Sequence, residues 1–283
     1  MTDHVALLGT KGGPAIRTGS TNPTSNLLCL SGQRVVVDCG LGVTRGLVDQ
    51  GMALKDLDQI VITHLHSDHY LELGPLLHTA WVAGLKTPVT VHGPEGLAEY
   101  WTHFLASMQN DIAIRIEDEG RPDLAGLVHF KVVDPTRGFT IGPLTVRAMA
   151  TLHPPVTCYA YRFESAGKSV VFSGDTSYMP EMAAFAAGAD LLIHEAMLGE
   201  ALPALMARIG NGDDRLMHHW LRAHTLAADA ARIAAAAGVK ALALNHLIPS
   251  DDPAFGEAEW QASIAADWSG PFYLGHDGMR IPL

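Results

Sequence analysis

Three imidazoles and a carboxylate fall within six residues of this chain, at His64, His66, Asp68 and His69. Neutral imidazole suits zinc, iron, nickel or copper, and a carboxylate adds a harder oxygen ligand. Alternate residues of an extended segment point the same way, so His64 and His66 can grip one cation. Asp68 and His69 then fall where the chain can turn them toward a second. The preceding Ile60-Val61-Ile62 run is β-branched and apolar, which predicts a buried strand feeding a loop. Strand, ligands and turn together make the context a metal site requires. The plainer alternative is a polar loop with clustered histidines.

Further metal-capable residues stand at predicted strand ends. His153 lies in Thr151-Leu152-His153-Pro154, Asp175 in Gly174-Asp175-Thr176, and His246 follows an apolar strand over 239–245. Taken singly, His153 and His246 would be ordinary histidines. Loops at strand ends are where rigid scaffolds place functional groups. With the first cluster they supply five imidazoles and two carboxylates. That set suffices for two cations and a shared ligand, and such pairs sit about 3.5–4 Å apart.

The elements that must position these residues read as follows. A strand over 5–8 leads to Gly9-Thr10-Lys11-Gly12-Gly13-Pro14, whose spacing fits neither common phosphate-loop pattern. It predicts a tight turn at the rim of a site, with Lys11 or Arg17 near a substrate anion. A hairpin spans 27–38, a helix 43–50, and a strand over 57–63 delivers the cluster. Helices are expected over 73–83, stopped by Gly84, and over 95–109, whose apolar stripe is a packing face. The acidic stretch 112–124 reads as irregular, a rim or a dimer contact. The second half restarts the strand pattern over 128–133, 144–148, 158–164, 169–173 and 191–195. Residues 198–221 read as irregular or partly helical and carry His218 and His219. Thr225 reads as the N-cap of a helix ending at Ala237, with Gly238 as its stop. Without Ser- or Pro-rich linkers, residues 1–283 read as one α/β (α+β) domain of two mixed sheets with helices outside.

Composition narrows the function classes. The net charge is −11, with 19 Lys plus Arg against 30 Asp plus Glu. This argues against a broad polyanion-binding face, which rests on many cationic phosphate contacts. No apolar run is long enough to span a bilayer. The start of the chain lacks the basic and apolar regions of a signal peptide, so a cytoplasmic protein is expected. Cys29, Cys39 and Cys158 are widely spaced and read as core residues of a reducing compartment.

The His64-x-His66-x-Asp68-His69 motif, completed by His153, Asp175 and His246, resembles the metallo-β-lactamase superfamily along essentially the whole chain. The resemblance implies a four-layer αββα sandwich with a dinuclear site at one edge of the sheets. It implies that His64, His66 and His153 hold the first metal, and that Asp68, His69 and His246 hold the second. Asp175 would bridge both, together with a hydroxide that Asp68 orients. Position 66 is His, where the di-iron flavoproteins of the superfamily carry Glu.

A narrower resemblance runs to the ribonuclease Z and arylsulfatase-like branch. It rests on His194-Glu195-Ala196-Met197 and Ala223-His224-Thr225-Leu226, which match that branch's H-E-A-T and G-H-S-T segments in part. It implies that His224 assists the scissile group and that Glu195 orients it, whereas His194 reads as a buried strand-end histidine. The tRNA-processing members use a basic, glycine- and proline-rich arm, while residues 86–135 here are acidic and helical. Tyr70-Leu71-Glu72 also replaces their glycine-led continuation. The expectation is a dinuclear hydrolase of small esters, phosphodiesters first, cyclic nucleotides among them. Arylsulfate, lactone, thioester and β-lactam substrates are the alternatives. Two divalent metals are expected, zinc first, then manganese or iron. No tRNA, no membrane and a homodimer complete the expectation. From other classes, a di-iron redox protein and a metal-stabilised binding protein are the competing readings.

Overall fold

Val35, Val36 and Val37 show how the layers form. All three are fully buried, but Val36 packs into one core while Val35 and Val37 pack into another. A strand buried on both faces reads as a continuous apolar run, because one face meets helices and the other a second sheet. Leu191, Leu192 and Ile193 repeat the pattern in the second half, with Leu192 facing the helices. The computed structural model describes residues 2–210 and 212–283.

The first sheet is built from β1 (His4–Gly9), β2 (Ser25–Leu30), β3 (Gln33–Cys39), β4 (Gln59–Val61), β5 (Val89–Gly93), β6 (Val128–Val132) and a late strand (Arg280–Pro282). Its order runs from that late strand through β1 to β6, antiparallel as far as β3 and parallel beyond. The second contains β7 (Phe139–Ile141), β8 (Leu144–Ala150), β9 (Tyr159–Ser165), β10 (Lys168–Phe172), β11 (Leu191–Met197), β12 (Leu242–Ile248) and β13 (Phe272–Leu274), in that spatial order. It is antiparallel to β10 and parallel from there.

Helices α1 (Val43–Asp49), α2 (Ser67–Tyr70), α3 (Leu73–Val82), α4 (Leu97–Ser107), α5 (Gln109–Glu119) and α6 (Leu124–Leu127) accompany the first sheet. Those with the second are α7 (Glu181–Phe185), α8 (Leu202–Ile209), α9 (Arg215–Ala223), α10 (Ala227–Ala237) and α11 (Glu257–Ile264). Three cores separate four layers, as expected for the αββα sandwich. A fourth, smaller cluster holds α8 and α9 against Met197 and Ile248. Among the described residues, no helix is long and apolar enough to cross a membrane.

Four local expectations are corrected. The stretch expected to be irregular at 112–124 is mostly α5, because Arg115 pairs with both Asp111 and Glu119 one turn away and Gly120 closes the helix in the left-handed conformation. Thr225 does not cap α10; Leu226 stands at the cap position, and the Thr225 hydroxyl donates to the Thr176 carbonyl. The strand over 57–63 is only β4, because the Ile62 N–H makes the last ladder bond, to the His92 carbonyl of β5, and the Thr63 N–H then donates to the Asp38 side chain. His246 lies within β12 rather than beyond its end. There the ladder with β11 steps from Glu195–Asn245 to Ala196–Leu247, leaving His246 as the extra residue of a bulge at φ 46°. Asn211, within the 198–221 segment, lies outside the described residues.

Candidate metal centre and its cavity

The loop after β4 and helix α2 bring His64, His66, Asp68 and His69 to the edge where the two sheets meet. From the second sheet, the loop after β8 brings His153, the loop after β10 brings Asp175, and the β12 bulge turns His246 inward. A bulge re-aims one side chain without ending the strand. All seven residues predicted as ligands meet there. One group of donors is His64, His66, His153 and Asp175, and another is Asp68, His69 and His246, each within 4.8 Å of one another.

Within the first group, His66 Nδ1 lies 3.1 Å from His64 Nε2 and 2.9 Å from His153 Nε2. Asp175 Oδ2 is 3.6 Å from His64 Nε2, 3.7 Å from His153 Nε2 and 3.2 Å from His246 Nε2. Its Oδ1 is 3.4 Å from His69 Nε2. The Asp175 carboxylate therefore touches both groups. Two nitrogen ligands at about 2.0–2.1 Å on a tetrahedral ion stand roughly 3.3 Å apart, which fits these spacings. His69 Nε2 and Asp175 Oδ1 are buried with no hydrogen-bond partner, which fits atoms aimed at a shared cation. Five imidazoles and two carboxylates are a donor set suited to divalent ions.

The outer nitrogens are held as well. His69 Nδ1–H donates to Asp38 Oδ2 at 2.8 Å, and Asp38 Oδ1 also accepts from the Thr63 N–H and hydroxyl. His153 Nδ1–H donates to the Ala223 carbonyl at 2.8 Å. Such contacts fix the tautomer and aim the ring. Burial pushes the His64 and His66 imidazoles down, His66 to about 4, so both stay neutral as ligands must. Burial opposes the charge on His69 too, but the carboxylates of Asp175, Asp38 and Asp68 outweigh it and hold that ring up. A cation entering there displaces a proton.

Asp68 accepts from the Gly13 N–H at 2.8 Å and lies 3.3 Å from His246 Nε2. Burial alone would raise its carboxyl, yet His69 and His246 hold it far below the usual carboxylate range. Gly12 passes so near the His246 ring that a Cβ there would stand 2.9 Å from it. Glu195, in β11, accepts from the Thr176 N–H at 2.9 Å and faces His224 Nδ1 at 3.2 and 3.3 Å. Burial disfavours a charged His224, but the Glu195 carboxylate prevails and the imidazole is pushed up to about 9. His194 donates to the Glu195 carbonyl and lies wholly buried, as read from the sequence. The three cysteines are free and buried.

A cavity of about 340 Å³ opens over the centre. Lys11 and Arg17 line it, as do Asp68, Asp175, His224 and His246. Three participants escaped the sequence reading. Asp38 reads from the sequence as a strand end, whereas its φ of 64° marks a side chain turned from the regular strand. The Ala223 carbonyl leaves no trace in side-chain identity. His219 was noted without a role, yet its ring lies 6.3 Å from His66, 6.2 Å from His153 and 5.7 Å from His224, centroid to centroid.

Comparison with known proteins adds four matches. Residues 4–207 match a family model described as anti-Pycsar protein Apyc1. A protein named ribonuclease Z from Mycobacterium sp. (strain KMS) is 36% identical over 288 residues, covering 99% of this chain and 96% of that protein. Among solved structures, the metallo-beta-lactamase fold protein YhfI from Bacillus subtilis superposes with a TM-score of 0.73 at 23% identity, covering 99% of both chains. Human tRNase Z, short form, superposes at 0.67 with 20% identity, covering 99% of this chain and 100% of that one.

Proposed function

The chain belongs to the metallo-β-lactamase superfamily, in its ribonuclease Z-like branch, and from that membership we propose that it is a dinuclear hydrolase of small phosphodiesters. The observation that carries the reading is the Glu195–His224 pair, whose imidazole lines the cavity beside His66, Asp68, Asp175 and His246 of the seven-residue cluster. A poor leaving oxygen needs a proton as its bond breaks, and an imidazole kept protonated by a buried carboxylate supplies one. A lactone or β-lactam opening makes less use of a dedicated acid on that side. Sulfate esters, lactones and thioesters are the alternative substrates, and cyclic nucleotides fall within the phosphodiester class.

Two divalent cations, zinc first, would be held by His64, His66 and His153 and by Asp68, His69 and His246, with Asp175 shared; when bound they acidify water and offset charge on the attacked group. The chain's own residues do the rest. Asp68, fixed by the Gly13 N–H, orients the attacking water and accepts its proton. With Nδ1 committed to Glu195, His224 has Nε2 left to protonate the leaving oxygen. The water oxygen–phosphorus bond forms, the phosphorus–ester oxygen bond breaks, and one proton is taken up at Asp68 as another leaves His224. Lys11 and Arg17 lie where they would meet the anion. Because each group of donors draws on both sheets, residues 1–283 act in this reading as one domain.

The relatives named ribonuclease Z favour a second reading, an RNA substrate. Charge weighs against it. Residues 86–135 carry four Lys or Arg against eight Asp or Glu. Two of the helices there, α4 and α5, pack on the core through Leu97, Trp101 and Ile112. We read the substrate as small, the location as cytoplasmic and the assembly as a homodimer. A turnover panel on metal-loaded protein tests this: bis-aryl phosphate, 2′,3′-cyclic nucleotide, aryl sulfate, lactone, thioester, β-lactam and a tRNA precursor. Preferred turnover of the precursor, or of a sulfate or carbonyl ester, refutes the small-phosphodiester reading. Two irons with a redox-active visible band would refute the hydrolase.

A further inference from the structure

The cavity has two unlike sides. One is the 11–17 loop, with Lys11 and Arg17 and, between them, the nearly side-chain-free run Gly12-Gly13-Pro14-Ala15. The other is apolar and comes from α8 and α9, through Leu205, Ile209, Leu216 and Trp220. Leu205 and Trp220 are buried in the small fourth core, which anchors this wall. Ile209 and Leu216 remain only partly buried and face the cavity. His219 stands between wall and metal centre, within 6.3 Å of His66 and 6.2 Å of His153 by ring centroids, and Trp220 is its neighbour in sequence.

We infer that α8 and α9 build a slot for a flat, uncharged aromatic group carried by the ester, as in an aryl or nucleobase-bearing substituent. The inference rests on the phosphodiester reading for the group that sits on the metal centre. The wall continues the cavity that opens on the ligands, so a group attached to the reacting ester can lie along it. Apolar side chains in a binding cavity reward removal of apolar ligand surface from water. The partly exposed His219 ring lines this one beside the buried Trp220, and flat ligands gain from stacking on a ring beyond their area. A backbone strip lacking bulky side chains admits a flat group closely. Lys11, whose ammonium donates to the Gly12 carbonyl, and Arg17, paired with Asp251 at 3.7 Å, line the polar end. The match is to an amphiphilic anion with a flat apolar arm, more than to a compact alkyl ester.

The test compares phenylphosphonate with methylphosphonate on metal-loaded protein by isothermal titration calorimetry, with bis(p-nitrophenyl) phosphate turnover measured alongside. Phenylphosphonate is expected to bind about tenfold to a hundredfold tighter. Ile209→Gln and Leu216→Gln, at the partly buried rim, should shrink that ratio severalfold; they are preferred to Trp220→Ala, which removes a buried anchor. Equal affinity for the two phosphonates overturns the slot whatever the turnover. An unchanged ratio in both rim variants overturns it too. If the phenyl preference holds and the variants narrow it while no phosphodiester is hydrolysed, the slot stands and the reaction assignment falls.

Discussion

Replacing Glu195 by Gln should move the alkaline limit of the reaction without disturbing the metals. The side chain lies behind His224, not among the seven ligands, and keeps its size. What is lost is the negative charge 3.2 Å from His224 Nδ1. That charge, with lesser help from Asp175 and Asp68, lifts the imidazole from 6.5 to about 9 against the opposing effect of burial. At 1.36 kcal/mol per pH unit, this amounts to roughly 3 kcal/mol in favour of the protonated ring. With Asp68 and Asp175 engaged by cations, Glu195 is the main anion left to support it. If the variant's His224 returns to its ordinary value, about nine-tenths of wild-type molecules but only about 3% of variant molecules hold the proton at pH 8. The expected loss in kcat/KM is therefore about thirtyfold at pH 8, shrinking to less than twofold at pH 6. The assay is a pH–rate profile on a 2′,3′-cyclic nucleotide, whose alkoxide leaving group needs the proton. An aryl ester, whose phenolate leaves unaided, should respond much less. Metal content, measured in parallel, should stay at the wild-type value. Overlapping profiles of variant and wild type on the cyclic nucleotide would refute the assigned roles of Glu195 and His224.

Three further outcomes follow from the geometry. Asp38→Asn weakens the hold on His69 Nδ1 and should lower metal affinity about 10–100-fold, read by competition with a chelating dye; unaltered affinity counts against Asp38 as an orienting residue. Gly12→Ala places a methyl 2.5 Å from Ile248 Cγ1 and 2.9 Å from the His246 ring and should cut kcat and the metal occupancy of the Asp68, His69 and His246 group, whereas a wild-type rate would mean that Ile248 and the loop give way freely. Chelation leaves Asp68, Asp175 and five imidazoles clustered without their cations. For ions present at about a thousand times their Kd the loss is about 4 kcal/mol per site, which should lower Tm by roughly 10 °C or more in calorimetry; an unmoved transition argues against bound metal in the folded protein.

The local part of the site was the legible part. His64 to His69 sit within six residues, so their convergence needs only one strand and one turn. His153 and Asp175 were findable because each follows an apolar run at a turn. His246 was found for a partly mistaken reason. It is the extra residue of a bulge, and a bulge is a property of register against β11, which no single segment encodes. Asp38 was missed because its role depends on His69, 31 residues away, and its one local mark is a backbone angle. The α5 error has a different source. An acidic stretch looked unstructured, and the signal overlooked was Arg115 standing four residues from both Asp111 and Glu119. The layers themselves were readable, since strands buried on both faces have to lie between helices and a second sheet.

The two sheets meet at the ligands, and this gives the cations a second office. His64, His66, Asp68 and His69 come from the first sheet's side, while His153, Asp175 and His246 come from the second's. Any cation gripped by either group ties the two halves of the chain together. Asp68 and His246 are 178 residues apart in sequence. A cross-link closing a loop of that length would, in the chain-entropy model, remove unfolded-state freedom worth about 5 kcal/mol. In topological terms each ion so held would act as a reversible staple across the midline of the chain. On the proposed reading, metal supply would then govern how firmly the halves stay docked as well as whether the centre can turn over an ester.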